Sequence, residues 1–134
     1  MKHLINCLAL AIAISATSCK KEEGEGGDSS IHGRVWVRNY NQNFSWLNGE
    51  YPGYDEDVYI IYGNDLTFGD RTRTGPDGYF EFKYLRKGNY RLYVYSEDST
   101  MTTISGDTVF YKNVTISSKK ENVDAGTFII YDRL

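Results

Sequence analysis

The clearest alternation of apolar and polar positions lies between residues 79 and 96. Phe80 and Phe82 fall on one side of a two-residue period, with Tyr79, Glu81 and Lys83 on the other. After a Gly-containing turn, Tyr90, Leu92 and Val94 share one side, and Arg91, Tyr93 and Tyr95 share the opposite one. Alternation of this kind predicts two neighbouring strands of a half-buried antiparallel sheet. The turn that leads in, Gly75-Pro76-Asp77-Gly78, puts Pro where a fixed φ is useful and Gly where a positive φ is tolerated.

The same period recurs elsewhere. Residues 31–40 predict a strand with Val35 and Val37 inward and Trp36 on the other face. Residues 57–62 predict another, with Val58, Ile60 and Tyr62 on one side, followed by a turn at Gly63-Asn64-Asp65. A weaker strand falls within 66–74, and two more are predicted at 108–116 and 123–131. Between them lie a long loop over 41–56 and a polar loop over 97–107, with room for a short hairpin at 101–104. No segment sustains a helical period, and there is no internal repeat. The expectation is an all-β fold: a single seven-stranded antiparallel β-sandwich.

The N-terminus breaks this pattern. Residues 4–14 form an apolar run too short to span a bilayer, and small residues follow up to Cys19. The segment resembles a bacterial lipoprotein signal, with Ala16 where Leu is usual. That resemblance implies cleavage before Cys19 and lipidation of its thiol; the alternative is plain secretion. The run Lys20, Lys21, Glu22, Glu23 resembles the surface-export signal of Bacteroidetes lipoproteins, and would otherwise be a solvated charged linker. Residues 24–30 are Gly, Ser and acid only, which predicts a flexible acidic tether. The expected organisation is a signal peptide over 1–18, a lipidated tether over 19–30 and the sandwich over 31–134. The expected location is the outer membrane, lipid-anchored and facing outward.

Composition adds limits. Residues 31–134 make about one domain's worth of chain. Cys7 and Cys19 are the two cysteines, and both lie in or beside the leader, so the sandwich holds no disulfide. The formal charge of -3 and the lack of a basic stripe argue against a nucleic-acid partner. Twelve Tyr against six Phe and two Trp suit a partly wet sheet face or a binding surface.

The order of motifs is recognisable. Ile31-His32-Gly33-Arg34-Val35 comes first, then Pro52-Gly53 ahead of Val58 and Ile60. Thr74-Gly75-Pro76-Asp77-Gly78-Tyr79-Phe80 follows, with Leu85, Gly88 and Tyr90, and then 114–116 and 124–130. This resembles the carboxypeptidase regulatory-like domains, whose sandwich is prealbumin-like (transthyretin-like) or Ig-like. The resemblance implies an accessory scaffold, spacer, adhesion or binding unit.

Catalytic chemistry finds little footing. The hydrolase relatives of transthyretin use a second His and a terminal Tyr-Arg-Gly-Ser, whereas beyond the leader, which carries His3, this chain offers His32 alone and ends Tyr131-Asp132-Arg133-Leu134. A lone His with no free Cys supplies neither a triad nor a zinc site. Asp55, Glu56 and Asp57, joined by Asp65 or Asp77, could meet calcium, but acidic residues at the start of a strand are more often solvated. The lysine–asparagine cross-link of some related adhesin repeats lacks its partners, since the first strand offers Arg34 and Arg38. No catalytic residue, metal or cofactor is expected.

The long loop is the first candidate place for binding. Tyr40, Phe44, Trp46, Tyr51 and Tyr54 are interleaved with amides, a pattern that suits sugar rings; the alternative is that Phe44, Trp46 and Leu47 fold back to cap the sandwich. A second candidate is an outward patch of Tyr59, Ile61, Tyr93 and Tyr95, either a partner contact or ordinary Tyr-rich sheet. Asp98-Ser99-Thr100 and Asp107-Thr108-Val109 resemble a Bacteroidetes O-glycosylation motif, which would modify Ser99 and Thr108. The expected role is a non-catalytic binding or scaffolding module at the membrane, with a glycan or an outer-membrane protein as partner. A structural spacer is the alternative and a transthyretin-like hydrolase a distant one.

Overall fold

The computed structural model describes residues 21–134. Eight strands build it: β1 (Glu25–Tyr40), β2 (Leu47–Pro52), β3 (Asp57–Tyr62), β4 (Asp70–Arg73), β5 (Tyr79–Leu85), β6 (Gly88–Glu97), β7 (Asp107–Ile116) and β8 (Asn122–Arg133). They form two four-stranded sheets packed as a sandwich, and no helix occurs among the described residues.

One sheet runs β4-β3-β6-β7, antiparallel throughout, with Tyr59 opposite Tyr93 and Tyr93 opposite Tyr111. The other is organised by β1. The first part of β1 pairs with β5 (Ile31 with Phe82, Gly33 with Phe80), and its second part pairs along the same edge with β2 (Trp36 with Pro52, Arg38 with Glu50). Its other edge meets β8 in parallel, with Val35 opposite Phe128 and Val37 opposite Ile130. This one parallel pair departs from the fully antiparallel expectation. The rest of the domain serves as the long crossover that a parallel pair needs.

The predicted inward residues are the core. Val35, Val37, Phe80, Phe82, Phe128 and Ile130 from one sheet face Val58, Ile60, Leu92, Val94, Val114 and Ile116 from the other. Tyr84 has a φ of 59°, which shifts the phase of β5: Tyr84 turns outward and Leu85 is buried.

Three further expectations are corrected. There are eight strands, because β2 forms inside the expected long loop. All of its residues are exposed or half-exposed, so it carries no apolar alternation that a pattern could register. No hairpin occupies 101–104. Instead the Asp98 carboxylate gathers the backbone N–H groups of Thr100, Thr102 and Thr103.

The third correction concerns the tether, which belongs to the sandwich from Gly24 onward. The Gly24 N–H donates to the Tyr90 hydroxyl (3.0 Å), and the Arg86 N–H donates to the Gly24 carbonyl (2.9 Å). Buried Ser29 donates to the Ser118 carbonyl (3.1 Å) and accepts from the Glu121 N–H (3.0 Å). A Cβ on Gly27 would collide with the Leu85 carbonyl. The glycines read as flexibility, but they also let backbone approach backbone. This segment is held by hydrogen bonds rather than by apolar burial.

Candidate functional site

The candidate site begins with the hairpin between β1 and β2. The Asn41 side-chain carbonyl accepts the N–H groups of Ser45 (2.9 Å) and Trp46 (3.1 Å), and Phe44 takes a φ of 54°. The loop therefore closes on itself and leaves Trp46 70% exposed. Leu47 is also exposed, so these two side chains do not cap the sandwich. Phe44 lies 5.8 Å from the Tyr40 ring and 5.1 Å beneath the Arg133 guanidinium, and Tyr40 in turn meets Tyr131 at 6.0 Å. Of the five predicted loop aromatics, these two support the end of β8 and Trp46 points away.

Tyr51 and Tyr54 go elsewhere. With Tyr95 they line a cleft of about 480 Å³ at the end of the sandwich where β1, β6 and β8 run out. Val37, Pro52 and Ile130 supply apolar lining. Glu56, Glu97, Asp107 and Asp132 supply carboxylates, and none of the described lining residues is cationic. Ser96 ties the two sheets together here by accepting the Tyr131 N–H (2.8 Å). Buried Asn39 donates to Asp132 (3.4 Å) and accepts from Asn48 (3.1 Å), which orients that carboxylate. Glu97 receives Arg133 Nε at 3.0 Å.

The electrostatics follow from this crowding. Burial pushes the Glu56 carboxyl up, and the negative charges of Asp132, Asp57 and Asp55 add to the effect. Burial also pushes the Tyr51 hydroxyl up, with Asp132 contributing and a hydrogen bond to Asn39 opposing. The cleft thus offers ring faces, hydroxyls and carboxylate acceptors over an apolar base. The loop tyrosines were legible in the sequence. The four carboxylates were not read as one group, because they come from three separate stretches that only the packed sandwich unites.

The four residues of the second candidate, the outward patch, lie near one another on the β4-β3-β6-β7 sheet. The Tyr59 and Tyr93 rings stack at 4.8 Å with 7° between planes, and Tyr95 meets both edge-on at 5.7 and 5.9 Å. Ile61, paired with Arg91, sits half-buried beside them. Phe68 and Tyr111 were missed. Phe68 lies 5.0 Å from Tyr59, and Tyr111 lies 5.6 Å from Tyr93 under the Arg91 guanidinium. The outward alternation of β7 marks Tyr111; Phe68 belongs to the irregular segment between β3 and β4 and carries no such signal.

The remaining predicted positions are scattered. Lys21 and Glu22 are exposed, whereas Glu23 is half-buried against Gly63 and Gly88 and accepts the Asn89 N–H at 3.4 Å. Cys19 and Lys20 lie outside the described residues. Ser99 and Thr108 are half-buried, on the 98–106 loop and on β7 respectively. His32 is stacked on Tyr79 (5.9 Å) and bonded to the Asn122 side chain (2.6 Å), away from the cleft. Asp55 and Asp57 face Arg73 at 3.5 and 3.1 Å, so their charges are met from within the chain.

No known protein-family profile and no curated protein matches the chain. Among solved structures, one from Pseudomonas aeruginosa named "putative carbohydrate binding protein" matches over 81% of this chain and 90% of its own. The identity is 11% and the TM-score 0.45. At that distance the likeness carries no argument about what this chain binds.

Proposed function

We propose that the protein is a non-catalytic binding module that holds a neutral carbohydrate in the cleft, displayed at the outer membrane by a lipid on Cys19. One observation carries the ligand class: tyrosine rings and carboxylates surround an apolar base, with no cation in the described lining. A sugar presents C–H faces that pack on aromatic rings and hydroxyls that donate to carboxylates. Clustered carboxylates repel a glycan that is itself acidic. Support for the anchor lies in the sequence of the leader and the single Cys that ends it.

Calorimetric titration with neutral oligosaccharides (cello-, manno- and xylo-series) and with an oligogalacturonate tests the ligand class. A neutral series is expected to bind and the acidic one not to. Tyr54→Ala is expected to weaken binding at least about tenfold, or ~1.4 kcal/mol. Binding that is indifferent to Tyr54→Ala and to Glu56→Ala overturns the cleft as the site. For the anchor, Cys19→Ala is expected to move the protein from the membrane fraction to the soluble one. Retention at the membrane would overturn it.

A further inference from the structure

We infer that a second pocket, at the opposite end of β1 and β6 from the cleft, takes the headgroup of a membrane phospholipid: a phosphate diester that ends in a primary ammonium. The inference rests on the anchor proposed above and is independent of the cleft. The pocket has a volume of about 880 Å³ and is lined by the 21–29 segment, the turn from β5 to β6 and Lys119 of the β7–β8 loop. Lys21 belongs to the lining and stands two residues from Cys19. Two residues span at most about 7 Å, so a lipid on Cys19 would keep this pocket within reach of the headgroups.

Arg86 is the residue that calls for an anion. Its guanidinium lies against the bare backbone of Gly26, where a Cβ would come within 2.6 Å of Nη2. Its Nε is buried with no hydrogen-bond partner among the described residues, and Nη1 reaches the Glu22 carbonyl at 3.4 Å. Lys87 and Lys119 share the lining with Arg86 and Lys21, and none of these four cations joins an ion pair among the described residues. A half-buried guanidinium with open donors is destabilising unless an anion meets it. Phosphate suits the set, since two of its oxygens can take the Arg fork and leave the others for the lysines. The carboxylates in the lining decide the kind of phosphate. Glu23 accepts the Asn89 N–H, but Glu22 and Asp28 are exposed and unpaired among the described residues. They repel a ligand that is anionic throughout, whereas a primary ammonium beside the phosphate offers them donors.

The test uses the mature chain, 19–134, carrying Cys19→Ser so that no lipid is attached. It is titrated with glycerophosphoethanolamine, glycerophosphocholine and inorganic phosphate, and read by NMR amide shifts. Glycerophosphoethanolamine is expected to give saturable shifts at 26–29 and 86–89, and to bind more tightly than the other two. Arg86→Gln is expected to weaken it at least about tenfold, Arg86→Lys less, and Lys83→Gln, a cation outside the lining, not at all. If Arg86→Gln lowers the thermal unfolding midpoint, the Lys87→Gln, Lys119→Gln double variant carries the test with the same expected direction. Inorganic phosphate binding as tightly as the headgroup assigns the pocket to free phosphate and overturns the lipid source. Equal binding of the choline compound, whose nitrogen has no N–H, overturns the role of Glu22 and Asp28 and the headgroup assignment with it. Equal weakening by Lys83→Gln, or no saturable shift at tens of millimolar, overturns the site. The anchor is judged separately, by fractionation of Cys19→Ala, so failure of the pocket and failure of the anchor are told apart.

Discussion

Tyr90→Phe is the sharpest probe of how the N-terminal segment is held. The ring of Tyr90 is buried, and the substitution keeps it, so the apolar contribution is unchanged to first order. What disappears is the hydroxyl. It donates to the Arg86 carbonyl at 2.7 Å and accepts the Gly24 N–H at 3.0 Å. Each such bond contributes about 1 kcal/mol net, and a donor left buried without a partner costs about 1–3 kcal/mol. Gly24 keeps the bond its carbonyl receives from Arg86, so the loss falls on one N–H and one carbonyl. The expected destabilisation is about 2 kcal/mol, roughly a 1–2 M fall in the urea midpoint at m-values usual for a small domain. The segment before Ile31 should also become susceptible to limited proteolysis while the remainder stays resistant. A midpoint within about 0.3 M of wild type, with the N-terminal segment still protected, would refute the hydrogen-bonded clamp.

Two further outcomes are expected. Phe82→Ala removes a buried ring and should cost about 3–5 kcal/mol, whereas Glu81→Ala, one residue away and facing out, should cost under about 1 kcal/mol in the same denaturation assay; equal costs would contradict the register. The Asp98 carboxyl is held well below the usual carboxylate range, chiefly by the Thr100 hydroxyl and then by backbone N–H groups led by that of Thr103. Its contribution is therefore complete above the unfolded-state value near 3.8 and lost as pH falls through the lower folded-state value. Wild type should lose stability relative to Asp98→Ala as pH falls below about 4, progressively toward pH 2, in thermal melts, and parallel curves would refute the assignment.

By itself the sequence determined which way each regular strand faces. Phe80, Phe82, Leu92 and Val94 are buried because a two-residue period beside tight turns leaves one self-consistent face for the core, and a one-residue slip would expose every one of them. The Tyr59–Tyr93–Tyr95 patch was legible for the same reason, as the complement of that face. Tertiary structure decided what had no such period. β2 is an edge strand with no buried side chain, and its backbone pairing with β1 is invisible to a hydrophobic pattern. Gly24 to Ser30 read as a tether, but close backbone approach and the hydroxyls of Ser29 and Tyr90 lock it to β6 and to the loop between β7 and β8, both distant in the chain. The cleft is the extreme case. Tyr51, Glu56, Glu97 and Asp132 are brought together only where β1, β6 and β8 end side by side. Long-range pairing, rather than any local signal, sets that convergence.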